Sequence, residues 1–140
     1  MKVFVDTNIF LDFYFDRKDL ILPLGEFAFQ FFKRAIECKF FIIICDSVIE
    51  ELCRVLNLKE KELNETLFFD LIKENKIRKI NFSEMQVKEA SDLSKDNLIP
   101  FTNALFAVLA RDNNAILISR DKHYYKIENI VEVRKPEELC

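Results

Sequence analysis

The sequence predicts an α/β protein, a three-layer sandwich with a central parallel sheet. Two observations carry that prediction: short apolar runs recur along the chain, and helix-length segments separate them. Strands of a parallel sheet are covered on both faces, so they read as continuous apolar runs rather than alternating ones. Their crossovers are right-handed. At 140 residues the chain suits one domain, 1–140, large enough to bury a core without disulfides or a structural metal. One Gly and three Pro argue against low-complexity or flexible linker segments.

In chain order, Lys2 to Val5 is a short β-rich run that ends in Asp6-Thr7-Asn8. Leu24 to Glu37 has helix length. Phe40 to Cys45, Phe-Phe-Ile-Ile-Ile-Cys, is the clearest buried strand. Helices follow at Val48 to Leu56 and Lys59 to Glu74, then a strand at Arg78 to Phe82 and a helix at Ser83 to Ser94. Ala104 to Arg111 is an almost wholly apolar helix, with small residues at 104, 107 and 110 that permit close packing on the sheet. Strands at Ala115 to Ser119 and Ile130 to Val133 complete the alternation.

Composition narrows the function. A net charge of −3 gives no global attraction to phosphates, which counts against a simple nucleic-acid binder. It counts less against a metallonuclease, whose carboxylates look acidic until a cation neutralises them. Cys38, Cys45, Cys53 and Cys140 show no Cys-x-x-Cys spacing, and the lone His123 completes no familiar zinc pattern, so buried thiols are expected. No signal peptide or membrane span is expected, and a reducing cytoplasm is the default location. Fifteen Phe accompany no Trp, and Phe10, Phe13, Phe15, Phe27, Phe29, Phe31 and Phe32 crowd the first quarter. They serve either the core or a self-association surface, and a homodimer is the expected assembly.

In open α/β sheets ligands bind beyond the carboxyl ends of the strands, at a topological switch point. Asp6, Asp46 and Asp121 each fall just after a predicted strand, gathering acids at one rim. Each has a plainer reading as a turn or cap residue. Ser47-Val48-Ile49-Glu50 matches a capping box, which gives Glu50 a local task. Glu51 borders the apolar stripe of Val48, Ile49, Leu52, Val55 and Leu56 and is better placed to face the rim. Asn103 opens the apolar helix, where Asn is a good N-cap.

Taken in order, Asp6-Thr7-Asn8, Glu51-Leu52, Asn103-Ala104-Leu105 and Ser119-Arg120-Asp121 resemble the PIN-domain family over nearly the whole chain. The closing Val131 to Leu139, with Pro136-Glu137-Glu138, resembles the last strand and tail of many bacterial and archaeal members. The resemblance implies a ribonuclease acting through Mg²⁺ or Mn²⁺ on RNA, and in many prokaryotic members the toxin of a toxin-antitoxin pair of the VapC group, with a protein antitoxin as partner. Asp6, Glu51 and Asp121 match three acidic positions of the family, and Asn103 stands where the motif usually has Asp. The resemblance thus assigns Asp6 and Asp121 as metal ligands and Glu51 as a residue that helps position metal or water. Thr7, Asn8 and Ser119 are expected to support them, and Arg120 and Lys122 to meet the RNA backbone. Hard cations prefer oxygen ligands, and an amide oxygen coordinates without adding charge. A receiver domain would show paired acids after the first strand, and a haloacid-dehalogenase-like phosphatase would show Asp-x-Asp; Asp6-Thr7-Asn8 has neither. The rival reading is a catalytically impaired RNA- or protein-binding module, on the strength of Asn103.

Overall fold

The first strand of the sequence is the middle strand of the sheet. In the computed structural model, which describes residues 1–37 and 39–139, β1 (Lys2–Val5) pairs in parallel with β2 (Phe41–Ile44) on one side and β4 (Ala115–Ile118) on the other. Here β3 (Ile77–Lys79) lies beyond β2 and β5 (Val133–Arg134) beyond β4, so the order is β3-β2-β1-β4-β5 with every pair parallel. The chain thus forms the α/β class with the parallel sheet that its apolar runs predict. Val3, Phe4, Val5, Ile42, Leu117 and Ile118 are wholly buried, which is why these strands lack alternation.

The chain steps outward from β1 to β3, then returns past β1 to β4 and β5. Right-handed crossovers in opposite directions put their helices on opposite faces. One layer therefore holds α1 (Thr7–Phe15), α2 (Leu24–Ile36), α3 (Asp46–Leu56), α4 (Glu60–Glu65) and α5 (Phe69–Lys73). The other holds α6 (Glu84–Asn97) and α7 (Phe101–Asp112). Packing agrees: α1 lies against α2 and α3, while α6 lies against α7, which covers β1 and β4. Asn103 through Ala110 of α7 are buried, and the Phe106 ring sits 4.9 Å from that of Phe4. The alanines at 104, 107 and 110 have no exposure, the close approach that small side chains allow.

Much of the phenylalanine crowd is core. Phe10 packs 5.1 Å from Phe32 and 5.2 Å from Phe68, and Phe31 lies 4.8 Å from Phe40. Phe15 and Phe29 stay exposed, as do Tyr14, Leu20 and Ile21. The molecule's one glycine, Gly25, sits where α2 begins against the end of α1, and a Cβ there would overlap the Asp16 backbone. Cys45 is buried and Cys53 partly so; Cys38 and Cys140 lie outside the described residues. Among the described residues no helix is long and apolar enough to cross a membrane.

Several local expectations are corrected. No element is predicted between Asn8 and Leu24, yet α1 forms there, because its apolar residues pack inward on α2 and α3 and override a β-like composition. The single helix expected over Lys59 to Glu74 is two, broken where Thr66 leaves helical geometry and its hydroxyl donates to the Glu62 carbonyl at 2.7 Å. The Ser47–Glu50 capping box does not form, since α3 already starts at Asp46 with Cys45 as N-cap. Asn103 is likewise no cap: α7 starts at Phe101 behind Pro100, which places Asn103 inside the first turn. The last strand is Val133–Arg134 rather than Ile130 to Val133, because the Ile130 N–H is spent on the Ile127 carbonyl in a turn.

Candidate functional site

The strand order reverses between β1 and β4, so the switch point lies at their carboxyl ends. The register pairs Val5 with Ile118, which sets Asp6 beside Ser119. The Asp6 N–H donates to the Ile118 carbonyl at 3.0 Å, and the Ser119 hydroxyl donates to Asp6 Oδ2 at 2.6 Å. Ser119 Oγ in turn accepts the Asp121 N–H at 3.0 Å, so one hydroxyl ties two carboxylate-bearing residues together. Ser119 therefore holds the Asp6 carboxylate directly.

A cleft of about 160 Å³ opens here, lined by Asp6, Asn8, Glu51, Thr102, Asn103, Phe106, Asp121 and Tyr124. All four residues singled out from the sequence, Asp6, Glu51, Asn103 and Asp121, thus meet around one space. Asn8 is exposed at its edge, whereas the Thr7 hydroxyl is buried, has no hydrogen-bond partner and lies outside the lining. Asp46 is not part of the cluster: it is exposed and pairs with Lys79 Nζ at 3.0 Å. Arg120 is committed elsewhere. Its guanidinium forms a two-pronged pair with Glu137, at 2.9 and 2.5 Å, approaches Asp12 at 3.8 Å and lies over the Phe27 ring. That network fastens the C-terminal tail to α1 and α2, which gives Arg120 a structural task beside the RNA contact expected of it. Lys122 is exposed at the start of the 3-10 helix Lys122–Ile127.

The two aspartates are driven in opposite directions. Burial raises the Asp6 carboxyl from 3.8 to about 6, against the Ser119 hydrogen bond and with further repulsion from Asp121 and Glu51. Burial also acts on Asp121, but donors outweigh it and hold this carboxyl below its ordinary value: the Asn103 amide at 2.9 Å, the His123 N–H at 2.9 Å and the His123 ring at 2.7 Å. Near neutral pH Asp121 is a firm anion, while Asp6 retains some of its proton. Sites that set two carboxyls apart in this way commonly divide acid, base and ligand roles between them.

The donor set fits a hard divalent cation. Its polar lining offers carboxylate, amide and hydroxyl groups, with no sulfur or imidazole among the lining residues. Among the described residues no three His, Cys, Asp or Glu side chains form a ready-made cage. Such a cleft suits a cation that keeps several waters and takes one or two carboxylates, the habit of Mg²⁺. The carboxylates in the lining are those of Asp6, Glu51 and Asp121.

Tyr124, Phe106, Thr102 and His123 are contributions that the sequence reading did not assign to the site. Tyr124 had a readable signal: it follows Asp121 by three residues, one turn of a 3-10 helix, which returns it to the same side. Its ring is 2 % exposed and its hydroxyl has no well-aligned hydrogen-bond partner, although Asn103 lies beside it. Burial, and then Asp6 and Asp121, push the phenol well above its ordinary value.

Known proteins share this architecture. A crystal structure of VapBC2 from Rickettsia felis, bound to a DNA fragment from their promoter, matches with a TM-score of 0.67 at 19% identity, covering 96% of this chain and 98% of that one. FitAcB from Neisseria gonorrhoeae matches with a TM-score of 0.64 at 15% identity, covering 97% and 98%. "Uncharacterized protein 90" of Sulfolobus islandicus rod-shaped virus 1 is 31% identical over 80 residues, 55% of this chain and 83% of the viral protein. PIN domains are in general nucleases that use divalent metal ions. The family model of the PIN domain matches residues 3–130, from β1 through α7 and β4 to the turn before β5, a span that holds every acid of the cleft, and the chain therefore belongs to the PIN-domain family.

Proposed function

We propose that the protein is a metal-dependent endoribonuclease that hydrolyses RNA phosphodiester bonds with Mg²⁺ or Mn²⁺. The observation that carries this reading is the convergence of Asp6, Glu51 and Asp121 on one cleft at the β1/β4 switch point. Asp6 and Asp121 would hold the cation, and Glu51 would orient a water across the cleft. A bound cation supplies positive charge beside the scissile phosphate and a nucleophilic water at neutral pH. Ser119 fixes the Asp6 rotamer, Thr7 and Asn8 flank that aspartate, and Lys122 supplies a cation for the RNA backbone outside the cleft. The solved neighbours named VapBC2 and FitAcB support a role as the toxin of a toxin-antitoxin pair, with a protein antitoxin as partner. The exposed Tyr14, Phe15, Leu20 and Ile21 support a homodimer.

One observation favours a second reading, a catalytically impaired RNA- or protein-binding module. Asn103 adds no charge, and its amide occupies Asp121 Oδ2 at 2.9 Å. Incubating single-stranded and structured RNA with the protein and Mg²⁺ or Mn²⁺ separates the two. The nuclease reading requires cleavage that EDTA and Asp6→Ala both stop. RNA retention without cleavage under every cation condition supports the binding module.

A further inference from the structure

Among the acceptors of the cleft one group is a donor without a recipient. The Tyr124 side chain is 2 % exposed, lines the cleft, and neighbours Asp6, Asp121 and Asn103, yet its hydroxyl makes no well-aligned hydrogen bond, with the Asn103 amide beside it. A buried hydroxyl left unpaired costs about 1–3 kcal/mol, and phenylalanine would fill the same space without that cost. The ring alone accounts for the packing. The hydroxyl calls for a ligand oxygen that arrives later.

We propose that Tyr124 is a substrate-contacting residue whose hydroxyl donates a hydrogen bond to a non-bridging phosphate oxygen held in the cleft. The inference rests on the metal-dependent reading of the same cleft. Phosphate is favoured over water alone because the surrounding side chains already supply acceptors, whereas an anion entering beside a bound cation brings oxygens that need donors. Asn103 lies against both Asp121 and the Tyr124 hydroxyl. Were Asp121 to hold a cation, the Asn103 amide would have to yield that carboxylate oxygen. Tyr124 thus provides one neutral donor in the place where Asn103 withholds a charge.

The test uses the whole chain and inorganic phosphate as probe, with Mg²⁺ alone as the second arm. With no Trp and three Tyr in the sequence, near-ultraviolet difference spectra report tyrosine environments without interference. Phosphate added to the Mg²⁺-loaded protein should perturb the tyrosine band, and Tyr124→Phe should abolish that change while Tyr14→Phe and Tyr125→Phe retain it. Tyr124→Phe should also weaken phosphate binding roughly tenfold, the loss of one charge-assisted hydrogen bond. Its melting temperature without ligand should equal or exceed that of the wild type, since an unpaired hydroxyl is removed; a purely structural hydroxyl would give a lower one. A full spectral change with Mg²⁺ alone, unchanged phosphate affinity in Tyr124→Phe, or a lowered melting temperature overturns the proposal while leaving cation binding intact. Failure of the wild type to bind Mg²⁺ at all overturns both the proposal and the reading beneath it.

Discussion

Replacing Asp6 by Asn should make the metal-free protein more stable while it destroys the site. Burial raises this carboxyl from 3.8 to about 6. At 1.36 kcal/mol per pH unit, that interval corresponds to about 3 kcal/mol of preference for the protonated form in the folded state. Between those two values the folded state binds more protons than the unfolded one, so stability falls as pH rises from about 4 to about 6 and stays low above it. Asn is nearly isosteric, and its carbonyl oxygen can keep the 2.6 Å hydrogen bond from Ser119. Asp6→Asn therefore removes the charge and keeps the geometry. Urea melts in EDTA across this pH range should show the decline in the wild type and lack most of it in the variant. At pH about 7.5 the variant should be more stable by up to about 3 kcal/mol, or about 10 °C in melting temperature. Mg²⁺ should raise the wild-type curve and leave the variant unmoved. A variant less stable than wild type at that pH, or two parallel pH profiles, would refute the claim that Asp6 is held ionised against its own burial.

Other perturbations probe the groups around Asp6. Asn103→Asp puts a carboxylate against Asp121 Oδ2, so the metal-free protein should lose about 1–2 kcal/mol in a chemical melt. The same change should tighten Mg²⁺ binding about tenfold by calorimetry, because ligand charge tunes such sites. Arg120→Ala breaks the pair with Glu137 and leaves Asp12 with Arg17 alone, and should cost about 2 kcal/mol in a denaturant melt, with Arg120→Lys restoring little of the two-pronged geometry. Asp46→Asn should leave RNA cleavage at the wild-type rate, since that residue pairs with Lys79 outside the cleft.

The sheet was legible because parallel strands covered on both faces leave an unbroken apolar signature, as Phe41-Ile42-Ile43-Ile44 does. The carboxylates were legible because a strand end fixes where the next residue goes: Asp6 and Asp121 could only stand at the rim. Glu51 emerged from helical periodicity alone. By contrast, α1 was hidden because Phe10-Leu11-Asp12-Phe13-Tyr14-Phe15 has β-like composition, and only packing against α2 and α3 selects the helix. The caps failed for a related reason: Ser47 and Asn103 have capping chemistry, but each helix starts one or more residues earlier, and position decides. The ion pair of Arg120 was not legible because its partner Glu137 lies 17 residues away, a pairing that tertiary structure alone reveals. Tyr124 escaped because an aromatic three residues past an acid reads as core, and its ring is indeed core; the unpaired hydroxyl shows only in the folded chain.

If Asp6 and Asp121 together hold one divalent cation between the ends of β1 and β4, its binding requires both carboxylates. Isothermal titration of Mn²⁺ into the wild type, Asp6→Asn, Asp121→Asn and Asp46→Asn at pH about 7.5 tests it most directly. The predicted result is one site in the wild type and in Asp46→Asn, weakened by more than about tenfold in Asp6→Asn and Asp121→Asn. Equal binding in all four proteins, or none in the wild type, would contradict it.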